Sequence, residues 1–343
     1  MAYTDIDKSD DYFNTVLYTG NGATNNITGV NFQPDLVWVK DKTVGFDHVL
    51  QDSVRGTTKI INSDQNYAEF TNADSITSFD SDGWTTGSYV ATNISGTPFV
   101  AWNWLAANGT ASNTDGSITS TVSANTTSGF SIVSYTGNFT AGATVGHGLG
   151  VVPSMYIIKN RDRTEPWMVY HQSLGNTKAL YLNTTNAELT SSAYTNNTSP
   201  TSSVFSLGAW EGNNGSSENL IAYCFAEKKG FSKFGSYTGN GSTDGTFVYT
   251  GFKPAFVITK NASSGLTNWF TSDNKRSTSN VITKVLRPDN SGAEQTFNYI
   301  DHLSNGFKLR YTSDSNTSGN TIIYMAFAEN PFVTSTGIPG LAR

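Results

Sequence analysis

Apolar residues in this chain fall in short runs separated by stretches of Ser, Thr, Asn and Gly. In "FVAWNWLA", which starts at Phe99, Trp102 and Trp104 stand two apart and so share one face of a strand. In "QPDLVWVK" both faces are apolar, Leu36 and Trp38 against Val37 and Val39, which reads as a strand covered on both sides. Runs of this length predict strands joined by polar turns, without long amphipathic helices. The expected class is all-β.

The runs recur in order. "FNTVLYTG" opens at Phe13, "FSIVSYTG" at Phe130 and "FSKFGSYTG" at Phe231. A proline-led strand follows each, with a lysine at one fixed offset: Pro34 with Lys40, Pro153 with Lys159, Pro254 with Lys260. An Ala-Glu pair comes next, ending in Glu69, Glu188 and Glu294, and then a closing strand, "FVAWNWLA", "LIAYCFAE" or "IIYMAFAE". Aligning the closing strands puts Trp104, Phe225 and Phe327 at one position, with Trp102, Tyr223 and Met325 two residues earlier.

Self-similarity on this scale predicts three tandem β-sandwich repeats, jelly-roll or lectin-like, of about 100 residues each. They span residues 13–107, 129–229 and 230–333, with an N-terminal arm at 1–12 and a C-terminal tail at 334–343. Residues 108–128 read as a Ser/Thr/Asn linker. The second and third repeats nearly touch in sequence and are expected to pack as a rigid pair, with the first set apart or tied in by the linker. Asn21-Gly22 and Asn240-Gly241 supply the positive φ of a tight turn; Phe139 at the second copy predicts a longer turn or another type.

Composition narrows the function. Charged residues are only 14% of the chain and the net charge is −6 without a basic run, so the footprint of a nucleic-acid binder is missing. With 343 residues the chain can bury its own cores, and no cofactor is expected. Cys224 is the single cysteine, which excludes an internal disulfide and reads as an inert core thiol. No apolar stretch has the length of a signal peptide core or a membrane span, so synthesis in a cytoplasm and no membrane partner are expected.

Few residues suggest chemistry. A chain poor in charge keeps one lysine and one glutamate per copy, which predicts ion pairs within each copy: Lys40 with Glu69, Lys159 with Glu188, Lys260 with Glu294. Asp80 and Asp82 in "FDSDGW" are the candidate calcium ligands, an Asx turn being the competing reading. Trp84, Trp167, Trp210 and Trp269 are candidates for stacking on sugars if exposed, and core residues otherwise. His48, His147, His171 and His302 lack metal-ligand spacing and read as polar residues at strand ends, His48 and His171 in near-equivalent places. "GHGLG" around His147 reads as the second copy's turn before its proline-led strand. Nothing matches a P-loop, HExxH, a nucleophile elbow or the facing carboxylates of a polysaccharide depolymerase, so no enzyme is expected.

Several long phrases are familiar. "FSIVSYTGN", "GHGLGVVPSMYIIKNR", "NLIAYCFAE", "SKFGSYTGNGSTDGTFVYTGFKPAFVITK" and "YMAFAENPFVTSTGIP" resemble a domain of unknown function found in virion structural proteins of marine tailed bacteriophages. The resemblance runs from Phe13 to Pro339, and the first copy, with "WNWLA" for "CFAE", is the most divergent. It implies a non-enzymatic structural protein on the particle surface, present in many copies: a capsid decoration, knob or head-fibre protein. The alternatives are a tail or tail-fibre component, or a lectin-like module for host-surface carbohydrate. The partners implied are capsid or tail subunits and, for the last reading, a host glycan, with the N-terminal arm or "GIPGLAR" as anchor.

Overall fold

The alternating runs pair antiparallel, and the computed structural model, which describes residues 4–339, consists of strands and turns with only single-turn helices. Four strands form a first array: the opening strand Phe13–Thr19, the closing strand Pro98–Trp104, the proline-led strand Leu36–Asp41 and a third strand Val49–Asp52, side by side in that order. The same order returns in a second array, Phe130–Thr136, Asn219–Phe225, Met155–Asn160 and Met168–His171. It returns again in a third, Ser232–Thr238, Thr321–Pro331, Phe252–Asn261 and Trp269–Asp273. Register agrees as well: Trp38 lies opposite Trp102, Ile157 opposite Tyr223, and Ile258 opposite Met325.

Each array is covered on both faces, and this explains the doubly apolar proline-led strands. One face packs on smaller strands of the same chain region. Val37, Val39 and Phe99 meet Trp84 in the first, Tyr156, Ile158 and Cys224 meet Phe205 in the second, and Val257 and Tyr324 meet Tyr299 and Phe307 in the third. The other faces of all three arrays pack against one another in a single cluster. At its centre the aligned residues Trp104, Phe225 and Phe327 form a triangle, with ring centroids 6.4, 5.9 and 6.1 Å apart and all three contacts edge-to-face. Ile6 of the N-terminal arm joins the same cluster, and Thr4 and Asp5 bond to the Lys229 carbonyl.

Two expectations of organisation therefore change. The first array is not set apart: its Phe13 stacks on Phe327 and tilts against Phe256 of the third. Residues 108–128 are not a free linker either. Ala111–Asn113 and Ser120–Asn125 add two strands to the second array, the latter along its opening strand. The tail residues 340–343, part of the anchor considered above, lie outside the described residues, as do residues 1–3.

The repeated "YTGN" turn has a receptor that the sequence reading missed. Asn93, Asn214 and Asn316 each stand just before a closing strand and accept, through Oδ1, the backbone N–H of Asn21, Asn138 and Asn240 at 2.9, 3.0 and 3.1 Å. Their carbonyls take the next N–H, that of Gly22, Phe139 or Gly241. That next residue has φ of 70°, 57° and 68°, so Phe139 holds the left-handed geometry of the glycines and does not open a different turn. A bulky residue is strained there. Phe139→Gly is expected to stabilise the fold by about 1 kcal/mol, read as a higher denaturant midpoint.

Candidate functional site

The repeated glutamates, Lys159, Lys260 and His48 lie where the arrays meet. At the first position of each third strand, or just before it, stand His48, Trp167 and Trp269, each with a ring nitrogen aimed at the neighbouring array. Trp167 Nε1 donates to the carbonyls of Asn62 (2.9 Å) and Gln65 (3.1 Å), and Trp269 Nε1 to that of Tyr181 (3.0 Å). His48 Nε2 bonds the Arg287 carbonyl at 3.0 Å, which closes the ring: second to first, third to second, first to third. A reverse set uses the repeated glutamates, whose backbone N–H groups donate across the same seams. Glu69 reaches Arg161 O (2.7 Å), Glu188 reaches Ala262 O (2.8 Å) and Glu294 reaches Lys42 O (2.9 Å).

The predicted lysine–glutamate pairs are corrected by these seams. Lys159 Nζ donates to the carbonyls of Asn160 (2.7 Å), Arg163 (3.2 Å) and, in the first array's region, Asn66 (3.2 Å). Lys260 Nζ donates to Thr267 O (2.7 Å), Thr267 Oγ1 (3.0 Å) and, across the seam, Thr185 O (3.3 Å). Lys40 pairs with its neighbour Asp41 at 2.7 Å. All three side chains are buried, and desolvation pushes Lys159 and Lys260 down to about 8. The glutamates pair instead with Arg55 and Arg161 (Glu69), Lys178 (Glu188), and Arg276 and Lys284 (Glu294). Partner choice follows from geometry: Lys159 and Lys260 point into seams, toward backbone carbonyls of the adjacent region, and Glu69 and Glu294 face Arg55 and Arg276 of their own arrays.

Two seams carry an Asp-Arg pair that receives an aromatic donor. Tyr223 OH donates to Asp52 Oδ2 (2.7 Å), and Trp102 Nε1 to Asp273 Oδ2 (3.1 Å). Arg55 and Arg276 bond the same carboxylate oxygens, and all four charged side chains are buried. In the second array the Asp position is held by His171 and the Arg position by Leu174; His171 Nε2 bonds the Tyr324 carbonyl at 3.2 Å, next to Met325, which holds the place of Trp102 and Tyr223. Where the incoming side chain lacks a donor, the receiving pair lacks its charge. His171 keeps the turn-capping role, accepting Ser173 N through Nδ1, while burial lowers its pKa to about 4 and leaves it neutral. His48 and His171 are not equivalent positions; His48 aligns with Trp167.

A carboxyl stands beside two of the seam donors and an amide beside the third. Asp64 Oδ1 accepts His48 N, Asp289 Oδ1 accepts Trp269 N, and Asn183 Oδ1 accepts Trp167 N, at 2.9, 3.0 and 3.0 Å. The second oxygen of Asp289 is buried without a partner, and the Asp64 carboxyl lies beside that of Asp47. Desolvation, with Asp47 beside it, pushes Asp64 up to about 8, and desolvation pushes Asp289 to about 7, so below those values each is a neutral acid that mimics the asparagine. A raised folded-state value means that stability falls as pH climbs from the ordinary carboxylate range through about 7. Asp289→Asn is expected to raise the denaturation midpoint clearly at pH 8 and hardly at pH 4, measured by thermal melts across that range.

Trp84, Trp167 and Trp269 are buried, and Trp210 is half-buried, stacked on Tyr181 and edge-on to Tyr194, so none offers a free ring to a sugar. Asp80 accepts Asn26 Nδ2 and Thr85 Oγ1, and Asp82 accepts the backbone N–H of Gly29 and Asn31. They brace a strand pair and the distant Gly29–Asn31 turn, which differs from the Asx turn expected within "FDSDGW"; among the described residues no group of three His, Cys, Asp or Glu side chains converges on a metal-sized site. Burial pushes the Cys224 thiol up, in keeping with an inert core role.

Two of the open grooves among the described residues concern the outer face of the strands. One, of about 230 Å³, lies between the opening strand of the first array and the third, lined by Phe13, Thr15, Ala255, Asn274 and Glu329 among others. The other, of about 210 Å³, is bordered by the exposed rings of Tyr249 and Phe332 with Glu227, Lys233 and Thr250. A family described as a domain of unknown function, DUF7483, matches residues 8–331. The chain belongs to that family. No curated protein matches it.

Proposed function

We propose that the three arrays with their covering strands are copies of one β-sandwich repeat of about 100 residues, fused into a single body. We further propose that this body is a non-enzymatic structural protein on a phage particle, a capsid decoration, knob or head-fibre protein made in the host cytoplasm and present in many copies. The observation that carries the reading is the triangle of Trp104, Phe225 and Phe327. A single chain that closes a three-membered ring on itself presents near-threefold outer surfaces, and a local threefold position on a capsid lattice matches that symmetry. The buried ionisable groups described above hold seams together, which suits a structural part. The phrase-level resemblance to virion proteins points the same way.

Tyr249 and Phe332, 58% and 39% exposed beside a Glu227–Lys233 pair, favour a second reading. In that reading the chain belongs to the tail and the aromatic groove takes a host-surface glycan. Cryo-electron microscopy of intact virions decides between the two. Density for this chain over threefold positions of the capsid is the expected result. Density confined to the tail would sink the decoration reading and make a glycan array the next experiment.

A further inference from the structure

We propose that the opening strand of the first array, Phe13–Thr19, is a docking edge that accepts a β-strand from another polypeptide, in the way the second array accepts Ser120–Asn125. The fold itself supplies the comparison, because three equivalent edges have three different fates. In the second array, Ser120–Asn125 runs antiparallel along Phe130–Thr136, with Thr121 opposite Ser134, Val122 opposite Val133 and Ser123 opposite Ile132. In the third, the edge is closed piecemeal. Gln172 Nε2 caps the Phe234 carbonyl at 2.8 Å, Ser232 N donates to Lys228 O, Thr246 Oγ1 caps the Thr238 carbonyl, and Lys233 adds a charge.

The first edge has almost none of this. Gly20 N bonds Thr97 O and Leu105 N bonds Tyr12 O, which fixes the phase: even-numbered residues face the closing strand, and the main-chain groups of Phe13, Thr15, Leu17 and Thr19 point outward. Among the described residues the outward groups of Thr15 and Leu17 have no partner, and only the Thr19 carbonyl is taken, by Asn25 Nδ2. The strand carries no charge, no proline and no bulge, the features that normally blunt an edge, and Leu17 is 42% exposed.

The groove beside this edge is built to receive something. Asn274 occupies the position of Gln172, but its Nδ2 is turned to Glu329 Oε2 at 2.8 Å and it leaves Thr15 uncapped. Thr15 and Asn274 both line the groove, and beneath its surface Thr15 Oγ1 and Asn274 Oδ1 are buried without a hydrogen-bond partner. An unmet buried acceptor or hydroxyl is costly, and a strand laid in the groove supplies both backbone and side-chain partners. By the second array's register the occupant is an uncharged segment with an apolar residue opposite Val16, as Val122 is opposite Val133. A small hydroxyl residue lies opposite Thr15, as Ser123 lies opposite Ile132. This inference does not depend on where the protein sits in a particle.

The test uses the full chain and a synthetic peptide, SITSTVSANT, with the sequence of residues 117–126. Amide hydrogen exchange followed by NMR is expected to slow at Thr15 and Leu17 by roughly 10-fold or more at saturating peptide. The same peptide N-methylated at the positions of Thr121 and Ser123, whose N–H groups face the edge, is expected to give no protection. Absence of protection with the parent peptide, or equal protection from the N-methylated one, overturns the proposal. Protection that grows with protein concentration in the absence of peptide also overturns it, by assigning the edge to a second copy.

Discussion

Asp273→Ala is expected to destabilise the protein by about 3–5 kcal/mol, as read from denaturant midpoints at constant m-value. The carboxylate is fully buried, bonds Arg276 through the Nε–H and the main-chain N–H, and accepts the indole N–H of Trp102. Its removal leaves a buried guanidinium with Glu294 as the remaining carboxylate partner and strands the indole donor at a seam. The informative variant replaces the whole set rather than breaking it. Trp102→Met, Asp273→His and Arg276→Leu together copy what Met325, His171 and Leu174 do at another seam. Because a buried ionic set replaced by well-packed neighbours is often neutral, the triple variant should recover most of the loss. Lys284 remains to pair with Glu294, as Lys178 does with Glu188. A triple variant as unstable as Asp273→Ala alone would show that the three seams are not interchangeable.

How much of this was legible follows from which contacts are local. Strands and turns were readable because alternation and the Pro-to-Lys offset fix register within one copy, and the alignment of Trp104, Phe225 and Phe327 fell out of the closing strands. Which copy each side chain would touch was not readable. Lys159 and Lys260 were assigned to glutamates of their own copies because nothing in a linear string says that the strand end faces the adjacent region's loop. The same limit hid the seam donors. His48 and His171 follow their lysines at similar distances in the sequence, while strand register matches His48 with Trp167 and Trp269, and the shared property is a ring nitrogen rather than a histidine. Residues 108–128 looked like a linker because small polar residues suit both a loop and an edge strand that is apolar on one face only. Ile118 and Val122 are the hints, both placed in the core of the second region.

Trp104→Ala is the variant that separates one shared core from three independent domains. The indole touches Phe13 of its own array at 5.0 Å between centroids, Phe225 of the second at 6.4 Å, and Phe256 and Phe327 of the third at 5.8 and 5.9 Å. Truncation is expected to cost about 3–5 kcal/mol, because rings from all three arrays line the cavity and none can close it alone. The decisive readout is where the loss appears. With a common core, hydrogen-exchange protection should fall together in the closing strands of all three arrays and unfolding should remain one transition. With separable domains, only the first closing strand would lose protection. Trp104→Phe makes the counterpart: it removes an indole N–H that is buried without a partner and installs the residue already present at Phe225 and Phe327. Its cost should stay below about 1.5 kcal/mol, since the lost volume is offset by the removal of that donor. If Phe proves as damaging as Ala, the triangle tolerates only the indole at that corner, and its near-threefold packing does not extend to the energetics.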